Sequence, residues 1–229
     1  MARMDLETMK GENIQPKKTL KEDKLRWNWN TPIVTGKKNP KNLYVGAQYL
    51  YKSVDQGRNW NRISPDLTTN DKAKQQQEDS GGLSADNTSA ENHCTIFTIA
   101  ESPFDDQQVW VGTDDGNLQC TNDGGHKWTN VASNLSASGV PAHAWVSSIF
   151  PSQHDRNVVY VTLENHMYGD HQTYAVRSSD MGKTWTRLQS NEFTGFAHKI
   201  VEDPSNPKLL FLGTEMGLFC SLDGGMNWF

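Results

Sequence analysis

The chain has 229 residues, 35% of them hydrophobic and 21% charged, with a formal net charge of −5 at pH 7. That acidic balance argues against nucleic acid as a partner. No apolar stretch approaches the roughly 20 residues that span a bilayer, so membrane insertion is not expected.

The first residues, MARMDLETMKGENIQPKK, lack the apolar core of a secretory signal. Residues 1–41 hold ten Lys/Arg against five Asp/Glu, and residues 42–229 hold twelve against twenty-two. Residues 1–26 are therefore expected to form a basic arm or linker, either solvated or docked on an acidic surface of its own protein. Residues 27–229 are expected to carry the fold.

The first strand-like run is Ile33–Gly36, followed by Asn42–Gly46 and Leu50–Lys52. A turn motif, S/T-x-D-x-G-x-x-W, comes next, with Ser53, Asp55, Gly57 and Trp60 at its fixed positions. The Asp carboxylate suits the backbone N–H groups of a tight turn. The Gly permits positive φ, and the Trp opens the returning strand and buries its ring beneath the turn. The polar stretch Asn70–Asn92, which contains Glu91, reads as an inserted loop. His93 then precedes a run from Thr95 to Ala100, followed by Val109–Thr113 and Leu118–Cys120. The motif returns as Thr121, Asp123, Gly125 and Trp128.

The third unit begins after a loop at 132–142. His143 and Trp145 stand at the head of Val146–Pro151, and Val158–Thr162 follows. The segment Glu164–His171 gathers Glu164, His166, Asp170 and His171 in what reads as a polar loop. Tyr174–Arg177 leads to the third motif, Ser178, Asp180, Gly182 and Trp185. The fourth unit runs through Ala197–Val201, Leu209–Thr214 and Leu218–Cys220 to Ser221, Asp223, Gly225 and Trp228. Each unit thus holds four short strands, and the motif aspartates are spaced by 68, 57 and 43 residues. Such repetition predicts an all-β fold, an arc of about four four-stranded β-propeller blades. The four motif aspartates are assigned to turns rather than to chemistry.

Three cysteines, Cys94, Cys120 and Cys220, cannot form a complete disulfide framework. Cys120 and Cys220 are expected to be small buried apolar residues, and Cys94 to lie in a strand-like run. Ligand-binding candidates are Glu91, His93, His143, Trp145, Glu164, His166 and Asp170, because they fall on loops or strand starts near a channel mouth. The spacing of Glu164, His166, Asp170 and His171 matches no strong zinc signature. No metal, no cofactor and no catalytic residue is assigned.

The repeated motif resembles the Asp-box, or bacterial neuraminidase, repeat. Within that group, Trp29–Ile33, Ile63–Thr68, Gly81–Ser84, Cys94–Phe97 and the closing Leu212–Trp228 resemble large bacterial proteins with sortilin-like propellers, often labelled glycosyl hydrolase. The resemblance implies a module of a larger exported protein, secreted or periplasmic, with a scaffold or ligand-binding role. Its partners would be the remaining blades or domains of the parent, and a glycan or peptide ligand. It also implies an alternative: part of a glycoside hydrolase akin to the xyloglucan-cleaving or sialidase Asp-box enzymes. The sialidase Arg-Ile-Pro is absent, and the end at Trp228–Phe229, in the first residues of a last strand, suggests a fragment.

Overall fold

A computed structural model describes residues 1–17, 24–76 and 92–229. Five antiparallel sheets are present among them. A small sheet pairs β1 (Ala2–Met4) with β2 (Gly11–Asn13). Blade 1 comprises β3 (Ile33–Thr35), β4 (Leu43–Gly46), β5 (Leu50–Ser53) and β6 (Asn61–Arg62). Blade 2 comprises β7 (Ile96–Glu101), β8 (Val109–Thr113), β9 (Leu118–Thr121) and β10 (Thr129–Asn130). Blade 3 comprises β11 (Trp145–Pro151), β12 (Val159–Asn165), β13 (Asp170–Ser178) and β14 (Thr186–Leu188). Blade 4 comprises β15 (Ala197–Glu202), β16 (Leu210–Thr214) and β17 (Leu218–Ser221). Phe229 exchanges two backbone hydrogen bonds with Cys220, the first pairing of a fourth strand.

Strands pair in chain order within each blade, and β3, β7, β11 and β15 touch in succession. Those four are the inner strands of a partial β-propeller, with the outer strands on its rim. The second strand of a blade is covered on both faces, which explains its unbroken apolar run; every residue of β8 is buried. Space between blades is short. A side chain on Gly46 would lie 2.5 Å from the Ile96 methyl of the next blade.

The motif turns are stapled as their chemistry predicts. Ser53 Oγ donates to Asp55 Oδ1 at 2.8 Å and accepts from the Gly57 N–H at 2.8 Å, while Asp55 Oδ1 accepts from the Asn59 N–H at 2.9 Å. The same three bonds recur at Thr121/Asp123, Ser178/Asp180 and Ser221/Asp223. Two consecutive residues in each turn have positive φ, for example Met181 at 63° and Gly182 at 80°. A side-chain donor also reaches the carboxylate in three copies, from Asn59, Thr184 and Asn227. The Asn59 N–H and the Asn227 N–H, followed by the same residues' side chains, hold Asp55 and Asp223 down at about 2, and the Thr184 hydroxyl, followed by its N–H, does the same for Asp180. Asp123, followed by Lys127 instead, is lowered chiefly by the Lys127 N–H. A carboxylate held below its unfolded value near 3.9 stabilises the fold above that value and loses the contribution as pH falls. Urea midpoints should therefore drop between about pH 4 and pH 2. Asp180→Asn should flatten that slope more than Asp123→Asn; equal slopes for both variants would contradict the role given to the side-chain donor.

Each motif glycine also seats a plug from the preceding unit. A Cβ on Gly57 would meet Ile14 at 2.9 Å, one on Gly182 would meet Val131 at 3.3 Å, and one on Gly225 would meet Leu188 at 3.0 Å. At Gly125 it would collide with the Ile63 carbonyl. Ile63, Val131 and Leu188 all occupy the same register position, on or just past their blade's last strand. Ile14 occupies that position after β2, and its N–H donates to the Met1 carbonyl as the Ile63 N–H does to Leu50. The Trp60 indole donates to the Ile14 carbonyl at 2.6 Å, and the Trp128 indole donates to the Ile63 carbonyl at 2.9 Å. The β1–β2 hairpin thus gives blade 1 what the outer two strands of each blade give the next.

Four local expectations are corrected. The motif Trp stands one residue before the returning strand, so β6 starts at Asn61 and β10 at Thr129. Cys94 lies before β7 with φ 60°, because the chain turns there to enter the blade. Cys220 is only half-buried, because no further blade follows blade 4 among the described residues. The segment Glu164–His171 is a tight hairpin end: β12 runs to Asn165, a single 3-10 turn spans His166–Tyr168, and β13 starts at Asp170.

Candidate functional site

The turns joining second to third strands line up along one face of the arc, beside the starts of the inner strands. Register alignment places four residues at one equivalent position: Gln48, Asp114, Glu164 and Glu215. The Asp114 N–H donates to the Thr95 carbonyl, the Glu215 N–H donates to the Phe196 carbonyl, and Glu164 pairs with Trp145. Blade 3 lacks the Gly-Thr that precedes Asp114 and Glu215, so its membership was not legible from the repeat.

Three of the rim carboxylates are occupied by the fold. Asp114 is fully buried and accepts from the Thr95 N–H at 2.8 Å, the Thr95 hydroxyl at 2.6 Å and Asn28 Nδ2 at 3.2 Å. Burial nonetheless pushes its carboxyl up to about 7. Asp115 accepts from the hydroxyls of Thr69 and Thr113 and from the Thr69 N–H. Asp170 ties the hairpin end together, accepting from Asn165 Nδ2, the Tyr174 hydroxyl and the Gln172 N–H.

Glu164 is different. Its side chain is 8% exposed, and among the described residues no hydrogen bond reaches its carboxylate. Burial raises it to about 7. Its Oε2 lies 3.7 Å from His166 Nδ1 and 3.9 Å from His198 Nδ1. His166 stacks on the Phe196 ring at 4.4 Å between centroids, and His198 meets the same ring edge-on at 5.0 Å. His171 lies 6.1 Å from that ring. Burial, and then the charge of His171, pulls His166 below its usual value, while Glu215 opposes the shift.

Of the sequence candidates, the fold brings Glu164 and His166 together and places Trp145 in register beside them. His93 is the next neighbour along the rim, with its ring 6.2 Å from Trp145 and its Nδ1 3.9 Å from Asp114 Oδ2. His93 Nε2 is buried with no hydrogen-bond partner among the described residues, and burial lowers the ring's pKa. His143 stands apart: it is exposed, with φ 67°, and its backbone packs against the Gly116 turn. Asp170 faces its own hairpin. Glu91 lies outside the described residues. His198 and Phe196 were not candidates, because only a bulge between Ala197 and Lys199 turns His198 toward Glu164. A groove of about 860 Å³ adjoins this cluster, lined by blade 3 and the segment leading to blade 4, with His171, Gln172, Arg187, Gln189, Asn191 and Phe193 along it.

No family model and no curated protein matches the chain. Solved structures do. An ancestral GH74 enzyme is 16% identical with a TM-score of 0.63, over 90% of this chain and 24% of its own. A GH74 enzyme of Niastella koreensis is 18% identical with a TM-score of 0.60, over 86% and 28%. The GH74 xyloglucanase of Xanthomonas campestris is 18% identical with a TM-score of 0.59, over 86% and 29%. The chain therefore spans roughly a quarter of the length of these structures, and at such identities the likeness is one of fold.

Proposed function

We propose that the chain is a non-catalytic, sortilin-like segment of an exported Asp-box propeller protein, and that it binds a glycan at the rim of blades 3 and 4. The carrying observation is the state of the carboxylates. Most glycoside hydrolysis needs two working carboxyl groups about 5–9.5 Å apart. Asp114, Asp115 and Asp170 are each committed to hydrogen bonds that hold turns. Glu164 alone of the rim acids is both buried and unbonded among the described residues. The groove beside it offers amides, an imidazole, a guanidinium and a phenyl ring, a lining suited to a polyhydroxylated ligand. The remaining blades of the parent protein would be its structural partners.

One observation favours the hydrolase reading. A carboxyl held near 7 is poised for general-acid work, and the fold is shared with xyloglucan-cleaving GH74 enzymes. Soluble oligosaccharides, xyloglucan fragments included, decide between the two. A thermal midpoint raised by a glycan that is recovered uncut supports binding. Shortened sugar produced by the chain and lost in Glu164→Gln would establish hydrolysis.

A further inference from the structure

The geometry points to a first-row divalent metal site built by Glu164, His166 and His198, which we propose binds Zn²⁺ or Co²⁺ independently of any glycan. The three residues come from two blades: Glu164 ends β12, His166 opens the turn that follows, and His198 sits on the bulge of β15. Two imidazole nitrogens face one carboxylate oxygen, at 3.7 and 3.9 Å. A tetrahedral ion with ligand bonds near 2.0–2.1 Å needs ligand atoms about 3.3 Å apart. Among the described residues no three such side chains already surround a common point. At the two pairs made with Glu164 the gap to that spacing is about half an ångström, and His198 is 54% exposed.

Two further observations support a ligand there. His166 Nδ1 is sealed from solvent with no hydrogen-bond partner among the described residues. The Glu164 side chain, nine-tenths buried, likewise receives none. Buried polar groups are almost always satisfied, so a sealed imidazole nitrogen facing an unbonded, largely buried carboxylate marks a missing partner. A proton shared between them would serve one nitrogen and leave His198 unused; a cation serves all three. Imidazole with carboxylate selects Zn²⁺, Co²⁺ or Ni²⁺ over Mg²⁺ and Ca²⁺. Two His and one Glu leave a fourth position open. Phe196 packs behind both rings and fixes their planes.

The test uses the tag-free 229-residue chain with each metal alone. Co²⁺ should give the intense visible bands of a four-coordinate ion, and Zn²⁺ should displace it at one equivalent. Glu164→Gln and His198→Ala should each weaken binding by at least about tenfold, while His143→Ala leaves it unchanged. Glu164→Gln keeps the side-chain shape, and His198 is exposed enough for truncation, so both variants should fold. The proposal is overturned by weak octahedral Co²⁺ bands, by binding that survives both substitutions, by loss of binding on His143→Ala, or by equal affinity for Ca²⁺.

Discussion

Glu101→Ala should lower the stability of the chain by about 3–5 kcal/mol, one of the two largest losses expected from a single side chain. Glu101 ends the inner strand of blade 2 and is 1% exposed. It reaches across the seam into blade 1, accepting from the Tyr44 hydroxyl at 2.7 Å, Asn42 Nδ2 at 2.9 Å, the Lys38 N–H at 2.8 Å and the Asn39 N–H at 3.2 Å. Truncation strands these donors in a closed seam, where each loses its partner without gaining water. Glu101→Gln keeps an acceptor and should cost less than half as much. Urea denaturation of both variants checks this. A loss below about 1 kcal/mol for the alanine variant would show that water replaces the carboxylate and that the seam is not a sealed contact. The seam between blades 3 and 4 repeats the device: Glu202 accepts from the Ser152 hydroxyl at 2.7 Å, the Gln153 N–H at 2.8 Å and the Tyr160 hydroxyl at 3.3 Å.

Trp110→Ala should cost a comparable amount, about 3–5 kcal/mol, for a different reason. Between blades 2 and 3 the Glu position is taken by Pro151 and the Tyr position by Trp110. Trp110 is 1% exposed, packs with Val131, Val146 and Trp185, and lies over Gly182. This seam is therefore apolar where its neighbours are hydrogen-bonded. The exchange is paired, and that makes it testable beyond truncation. Pro151→Glu alone sets a carboxylate beside an indole ring with no hydroxyl to receive. Adding Trp110→Tyr restores the donor. The double variant should be more stable than the sum of the two single losses predicts, by about 0.5–3 kcal/mol. Strict additivity would mean that the two positions do not form a coupled seam.

The blades were legible because their signals are local. Apolar runs such as Val109–Thr113 and the motif turns carry their geometry within a dozen residues, and the strands appeared where those runs stand. Contacts between blades were much less so. Nothing in Ile14 announces that it fills the place of Ile63 and Val131, since its neighbours Asn13 and Gln15 are both polar. The Tyr–Glu seams join residues 57 and 42 positions apart, a separation at which no turn or periodicity signals a contact. The candidate site was half visible. Glu164, His166 and Trp145 stood out as polar or aromatic residues at strand ends, but His198 reaches them only through a bulge in another blade. Asp170, as conspicuous in the sequence as Glu164, closes its own hairpin instead.

The most direct measurement is calorimetric titration of the purified chain with xyloglucan oligosaccharides and a wider glycan panel, with the recovered sugars sized afterwards. A binding, scaffold-type propeller predicts heat from at least one glycan, no shortened product, and weakened binding when Glu164→Gln or Phe193→Ala alters the rim and groove of blades 3 and 4. Shortened product from the wild-type chain, absent with Glu164→Gln, would contradict it and make Glu164 a working acid.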